Sequence, residues 1–149
     1  MKQSRHQART AALQGLYQLD IQRAPADADA AECLKPILEE AGASPEVADY
    51  ARQMTAGAWA KRDQYDRMIA EVTDHWEVSR MAVVDRNVLR MAIYELVERP
   101  EVPARVVIDE AVEIAREFGD AETPQFVNGV LDAIWKKHPA CRVARGEPV

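Results

Sequence analysis

The amino-acid sequence predicts an all-α protein, and three observations support this fold class. Strong helix formers dominate the 149 residues, whereas glycine (6) and phenylalanine (2) are sparse. Apolar residues recur at intervals of three and four, which is the spacing of one helix face. β-Branched residues never alternate with polar ones over a strand-length run. With 48% hydrophobic residues, a chain of this length can bury a core of its own.

The first two predicted helices are separated by a proline. The first helix runs from about residue 4 to residue 22 and ends before Pro25, because proline blocks helix continuation. The second helix spans about residues 28 to 41 and stops near Gly42. It contains Pro36, so it is either kinked or starts late.

The third helix has a strong start signal in Ser44, Pro45 and Glu46. A hydroxyl N-cap, a proline at the first helical position and an acid near the positive end of the helix dipole all favour a helix start. Helical periodicity continues into a fourth helix after a break near residues 61 to 63.

The fifth predicted helix, residues 80 to 98, is the most apolar. Because it is apolar nearly all round, we expect it to be central and buried. The sixth helix covers residues 104 to 118, and Gly119 ends it. Its acidic residues are expected to form a solvated face, although carboxylates at this spacing could also bind a metal. These residues are Asp109, Glu110 and Glu113.

The last helix begins at Thr123 and Pro124, which repeat the cap-plus-proline signal. Seven helices with short connections predict one domain over residues 1–137, with a basic N-terminal arm at about residues 1–9. Residues 138–149 are expected to form a flexible tail.

The charge distribution separates both ends of the chain from its middle. The formal net charge is −6, but residues 1 to 19 carry +3 and residues 133 to 149 carry +3, which leaves −12 for residues 20 to 132. This asymmetry suggests that the ends meet a polyanion while the acidic body meets something else. The alternative is that short basic ends are merely solvated.

Several functional classes have no support in the sequence. No apolar run is long enough for a membrane span, and the N-terminus lacks the apolar core of a secretory signal. Cys33 and Cys141 belong to no CxxC pattern, so we expect two free thiols in the cytoplasm. Phosphate-binding loops and catalytic motifs are absent, and His75 is interpreted as a surface histidine at a helix end. We therefore expect no enzyme, no cofactor and no metal site.

Two stretches are candidates for nucleic-acid binding. Lys2, Arg5, His6 and Arg9 recur at helical spacing, so a helix would array these cations along one side, where they could neutralise phosphates. Tyr17, two turns further on, could stack on an unpaired base, although a core-facing ring fits the pattern equally well.

The second stretch is the start of the last helix, where free backbone N–H groups favour phosphate. The amides of Gln125 and Asn128 suit base edges. Gly129 costs the helix about 1 kcal/mol relative to alanine. We expect this glycine to serve close helix packing, the alternative being an approaching partner.

Several long motifs resemble the NusB family in the correct order, over about residues 5 to 135. They are ARTAALQGLYQ at residues 8–18, DRNVLRMAIYEL at 85–96, the stretch from 102 to 119 and FVNGVLD at 126–132. The resemblance implies a compact bundle of about seven helices in two subdomains of three and four helices. It also implies a transcription antitermination factor that binds single-stranded boxA RNA of ribosomal RNA leaders as a heterodimer with NusE, a small-subunit ribosomal protein. Other Nus factors and RNA polymerase would be indirect partners.

The family's RNA surface maps onto the basic arm, the tyrosine of the first helix and the start of the last helix. Here it falls on Arg5, Arg9, Tyr17, Glu122, Gln125 and Phe126. The acidic body would engage the basic partner. His6 and Gln7 stand where many relatives carry more basic residues, and Glu122-Thr123 stands where many carry Asp-Ser.

Two other interpretations remain open at this stage. The first is an interaction scaffold or homodimer whose acidic body binds a basic protein without direct RNA contact. The second is the NusB-like N-terminal domain of an RNA methyltransferase, which is disfavoured because the chain has no cofactor loop.

Overall fold

The structure, a computed structural model, describes residues 2–74 and 76–138, without the side chain of Lys2. Within these residues it contains seven α-helices and no strand, which confirms the all-α prediction. His75, Cys141 and the tail predicted beyond His138 lie outside the described residues. Cys33 is a free thiol.

The first four helices lie close to their predicted bounds. Ser44 is the N-cap of the third helix as predicted, and its Oγ accepts a hydrogen bond from the Val47 N–H at 3.2 Å. Pro36 lies inside the second helix, which starts two residues later than predicted. Gly42 follows this helix with φ +62°, a left-handed conformation that glycine adopts without a steric penalty. The helices are α1 (Lys2–Ile21), α2 (Ala30–Glu40), α3 (Pro45–Ala60) and α4 (Arg62–Val72).

The predicted central helix is α5 (Val83–Glu98), and residues 87–96 of it are all buried. It packs against α1, α3 and α4 and also against the last two helices. It starts three residues later than predicted because Val78–Arg80 forms a separate 3₁₀ turn. The Arg86 guanidinium fixes this turn by donating to the carbonyls of Ser79 and Met81 at 2.9 and 3.2 Å.

The last two helices are α6 (Ala104–Phe118) and α7 (Thr123–Lys137), as predicted. Thr123 is the first residue of α7 rather than its cap, and its hydroxyl is engaged elsewhere. The Thr123 hydroxyl oxygen lies 3.0 Å from Asp85 Oδ1 and 3.1 Å from Asp120 Oδ1. Gly119 ends α6, and a Cβ there would lie 2.6 Å from the Thr123 side chain. Close approach by Thr123 therefore explains this glycine.

One cluster of buried apolar side chains runs through all seven helices. In the part of the chain that the structure describes, no helix is both long enough and apolar enough to cross a membrane.

Candidate nucleic-acid interface

Arg9, predicted as one of the phosphate-binding cations, points into the protein. Only 2% of the residue is exposed. Its Nε and Nη2 donate to the two carboxylate oxygens of Glu95 at 2.7 and 2.8 Å, and its Nη1 donates to Glu110 Oε1 at 3.3 Å. Burial lowers the pKa of this guanidinium, but the hydrogen bonds and charge of Glu95 outweigh burial and raise it above its ordinary value. Arg9 therefore joins α1 to α5 and α6, and its guanidinium does not face solvent.

Tyr50 connects this buried ion pair to the surface. Its hydroxyl donates to Glu95 Oε2 at 2.8 Å and accepts from Arg5 Nη1 at 3.3 Å. Burial and the Glu95 carboxylate raise the pKa of the hydroxyl above its usual range, so it stays protonated and can donate. The Arg5 guanidinium lies over the Tyr50 ring, 4.3 Å from its centroid. Arg5 is thus half-buried and oriented by its own chain.

His6 lies between two carboxylates of α6. Its Nε2 is 2.9 Å from Glu117 Oε1, and its Nδ1 is 3.6 Å from Glu110 Oε2. Glu110 is buried between His6 and Arg9, so the prediction of a solvated acidic face was wrong for this residue. Asp109 and Glu113 are both exposed, as predicted, and they form ion pairs with Arg105 and Arg116, respectively.

A groove of about 1080 Å³ brings Arg5, His6 and Asn128 together. It runs between the N-terminal end of α1 and α6, and the α6 residues Val106 and Val112 form part of its wall. The side chains that line the groove carry charges of both signs, because cations and four carboxylates share it. Those carboxylates belong to Glu101, Asp109, Glu110 and Glu113.

Tyr17 faces solvent, with 43% of the residue exposed. The core-facing alternative for this ring is therefore excluded. A large aromatic ring on an open helix surface can stack on a planar ligand.

The start of α7 presents predicted residues on two different sides. Successive residues of a helix are rotated by about 100°, so Phe126 and Asn128 point in roughly opposite directions. Asn128 lines the groove, whereas the Phe126 ring is half-buried and stacks on Trp76. Glu122 and Gln125 are exposed. The predicted site is therefore a surface around the start of α7 rather than one pocket.

Gly129 does not serve helix packing, which was the expected explanation. It is exposed, and a Cβ at this position would have no neighbour within 4 Å. It follows Gln125 by four residues, so the two share the solvent face of α7. At Gly129 the solvent face of α7 therefore consists of backbone that no side chain covers.

A second, partly buried network of ion pairs was not predicted from the sequence. Arg86 and Arg90 of α5 both bind Asp20 of α1, and Arg90 also binds Asp66 of α4. Burial raises the pKa of Asp20, but hydrogen bonds from Arg86 and Asn87 and the charge of Arg90 outweigh it and hold the pKa below its usual range. The charged residues of the DRNVLRMAIYEL segment therefore join helices. Among the described residues, no group of three or more His, Cys, Asp or Glu side chains could hold a metal ion.

Comparison with known proteins gives a consistent result at three levels. The NusB family model matches residues 6–136. The transcription antitermination protein NusB of Symbiobacterium thermophilum is 43% identical over 135 residues, which are 88% of each chain. The protein of the same description from Myxococcus xanthus is 40% identical and covers 88% of this chain and 94% of its own.

Solved structures share the fold. NusB from T. maritima superposes with a TM-score of 0.80 at 37% identity, over 90% of this chain and 92% of that one. A crystal structure of the antitermination factors NusB and NusE in complex with dsRNA also gives a TM-score of 0.80. That match has 27% identity and covers 93% of this chain and 100% of the other.

Proposed function

Because the chain belongs to the NusB family, we propose that it is a transcription antitermination factor that binds RNA together with NusE. Its RNA would be the boxA type found in ribosomal RNA leader transcripts, so the protein would act in the cytoplasm. The solved complex of NusB and NusE with dsRNA, which has a similar fold, supports both partners.

The observation that carries the proposal is the exposure of Tyr17. A core role would bury this ring, yet it lies in solvent on the same helix as the basic N-terminal residues. Glu122 and Gln125, which the family resemblance also assigns to the RNA surface, are exposed as well.

Each predicted residue has a role suited to its position. Arg5 binds a phosphate and Tyr17 stacks on an unpaired base. Gln125 and Asn128 offer amide donors and acceptors to base edges or sugars, and Phe126 offers the exposed part of its half-buried ring. Glu122, on the same surface, accepts hydrogen bonds from base amino groups. Lys2 contributes a phosphate contact from the end of α1.

Arg9 and His6 have indirect roles in this proposal. Arg9 would have to leave two buried carboxylates to reach RNA, so it acts by positioning α1. His6 faces Glu117 and Glu110 and orients the same helix end.

NusE would bind the acidic body of the chain. Residues 20 to 132 carry a net charge of −12, whereas ribosomal proteins are basic. Complementary charge speeds and steers such an association more than it tightens it.

One observation favours a second candidate function. The groove beside Arg5 and His6 has a mixed charge and an apolar wall, and Val106 in that wall is 42% exposed. Such a surface suits protein better than phosphate, so the alternative is a scaffold or homodimer without direct RNA contact.

Fluorescence anisotropy of labelled boxA-like RNA, with and without the cognate NusE, tests the proposal. Modest binding alone and much tighter binding with NusE are expected. With Lys2 and Arg5 as the phosphate-binding cations, the log–log salt slope of the protein alone is about −1.4, at roughly −0.7 per phosphate. The same RNA annealed to its complement separates single-strand from duplex binding. If the folded protein binds neither RNA form under either condition, the scaffold alternative is favoured.

A further inference from the structure

Trp76 is a large exposed side chain that has no role in the proposed function as described so far. It lies after α4, and its backbone N–H donates to the Thr73 carbonyl at 3.2 Å. Asp74 has φ +53°, a left-handed backbone conformation that bends the chain after α4. The residue is 57% exposed. Tryptophan is enriched at binding surfaces because burying its indole there gains a large apolar area.

The indole of Trp76 is stacked on Phe126. The ring centroids are 5.8 Å apart and the ring planes differ by 17°. Phe126 is half-buried and packs against the core, so it supports the indole from below. The pair therefore presents one continuous aromatic surface in which part of the indole remains in solvent.

The surroundings of this pair are polar. Asp74 and Glu77 flank Trp76 in the chain and are exposed, and Gln125 precedes Phe126 on the solvent face of α7. Among the described residues, the other exposed large apolar side chains lie on α1 and α6. An isolated flat ring in a polar frame fits one planar ligand better than an apolar protein face.

We propose that Trp76 and Phe126 form a stacking platform for an unpaired base of single-stranded RNA. This inference rests on the proposed function and adds Trp76 to its binding surface. Unpaired bases stack on aromatic side chains, whereas the bases of a duplex already stack on one another. The bare backbone at Gly129, on the adjacent solvent face of α7, leaves room for the strand to pass close to the helix.

Stacking makes no contact with phosphate, which gives the proposal a specific signature. Trp76→Ala should weaken binding of single-stranded boxA-like RNA by between about 5-fold and 150-fold, the range measured for loss of one stacked base. The salt slope should stay unchanged, because no cation is lost. Trp76→Phe, which keeps an aromatic ring, should restore most of the affinity. Phe118→Ala, which removes an exposed aromatic residue at the end of α6, is the matched control and should bind like the wild type.

Tryptophan fluorescence gives an independent readout on the unlabelled protein. Trp59 is buried and Trp135 is half-buried, so acrylamide quenching reports mainly on Trp76. Saturating RNA should protect the fluorescence from quenching, and the protection should be absent in Trp76→Phe.

Each outcome distinguishes this inference from the proposed function. If the wild type binds RNA and Trp76→Ala binds equally tightly, the platform is refuted and the proposed function stands. If Trp76→Ala weakens NusE binding and leaves RNA binding unchanged, the pair is a protein contact and the inference is also refuted. If the wild type binds no RNA, both fail.

Discussion

Replacing Arg9 by alanine distinguishes a buried structural cation from an RNA-binding one. The substitution removes a bidentate ion pair to Glu95 and a further contact to Glu110, while both carboxylates stay buried. Breaking a buried ion pair from one side leaves an uncompensated charge in a low-dielectric environment.

The magnitude follows from what remains around Glu95. Removal of one partner from a buried pair costs about 3 to 5 kcal/mol. The Tyr50 hydroxyl still donates to Glu95 Oε2 at 2.8 Å, so we expect the lower end, about 3 kcal/mol in the free energy of unfolding. In a domain of this size that corresponds to a fall in Tm of about 10 °C.

Urea unfolding followed by circular dichroism measures the difference. Arg105→Ala is the matched control, because its ion pair with Asp109 is exposed on both sides and its loss should cost no more than about 0.5 kcal/mol. If Arg9→Ala changes stability as little as this control while RNA affinity falls, Arg9 contacts the RNA and its structural role is refuted.

Three further substitutions test other features. Gly129→Ala should stabilise the protein by about 0.5 to 1 kcal/mol, because the position is exposed, helical and has open space for a methyl group; a loss of stability in urea unfolding would contradict this. Gly119→Ala should destabilise it by about 1 to 3 kcal/mol, because the new Cβ would lie 2.6 Å from the Thr123 side chain; an unchanged Tm would show that Thr123 moves aside freely. The depressed pKa of Asp20 means that its stabilising contribution is present above about pH 4, the unfolded value, and is lost as pH falls through the folded pKa. The stability gap between the wild type and Asp20→Asn should therefore stay constant from pH 7 to about pH 4 and narrow as the pH falls further, and a gap that widens in acid would show the opposite sign.

Local signals predicted most of the helices correctly. The Ser44 cap, the apolar periodicity of α3 and α6 and the all-round apolar α5 each depend on residues close together in the chain. The start of α5 was predicted wrongly because the prediction used only such local signals. The 3₁₀ turn before it is fixed by Arg86 from inside the next helix, and periodicity carries no information about that contact.

The candidate site was harder to predict because the orientation of its side chains depends on partners that are distant in the chain. Spacing placed Arg9 with the other N-terminal cations, but its orientation is decided by Glu95 and Glu110, which lie 86 and 101 residues away in the chain. The role of Gly129 also required the structure, since a glycine in a helix indicates close packing and bare surface equally. Trp76 carried a detectable signal, an indole in a polar stretch between helices, but only the stack on Phe126 gave it a context.

The ion pair of Arg9 also affects the order in which the chain completes its fold during synthesis. Ribosomes add about 5 to 20 residues per second, so Glu110 is made about 5 to 20 s after Arg9. Until Glu95 is made, the nascent chain lacks both carboxylates that hold the N-terminal end of α1, and until Glu110 is made it still lacks the second of them. The contacts of Arg9 are therefore completed in two steps, first by the fifth helix and then by the sixth, so the N-terminal end of α1 cannot reach its final packing before most of the chain has been made.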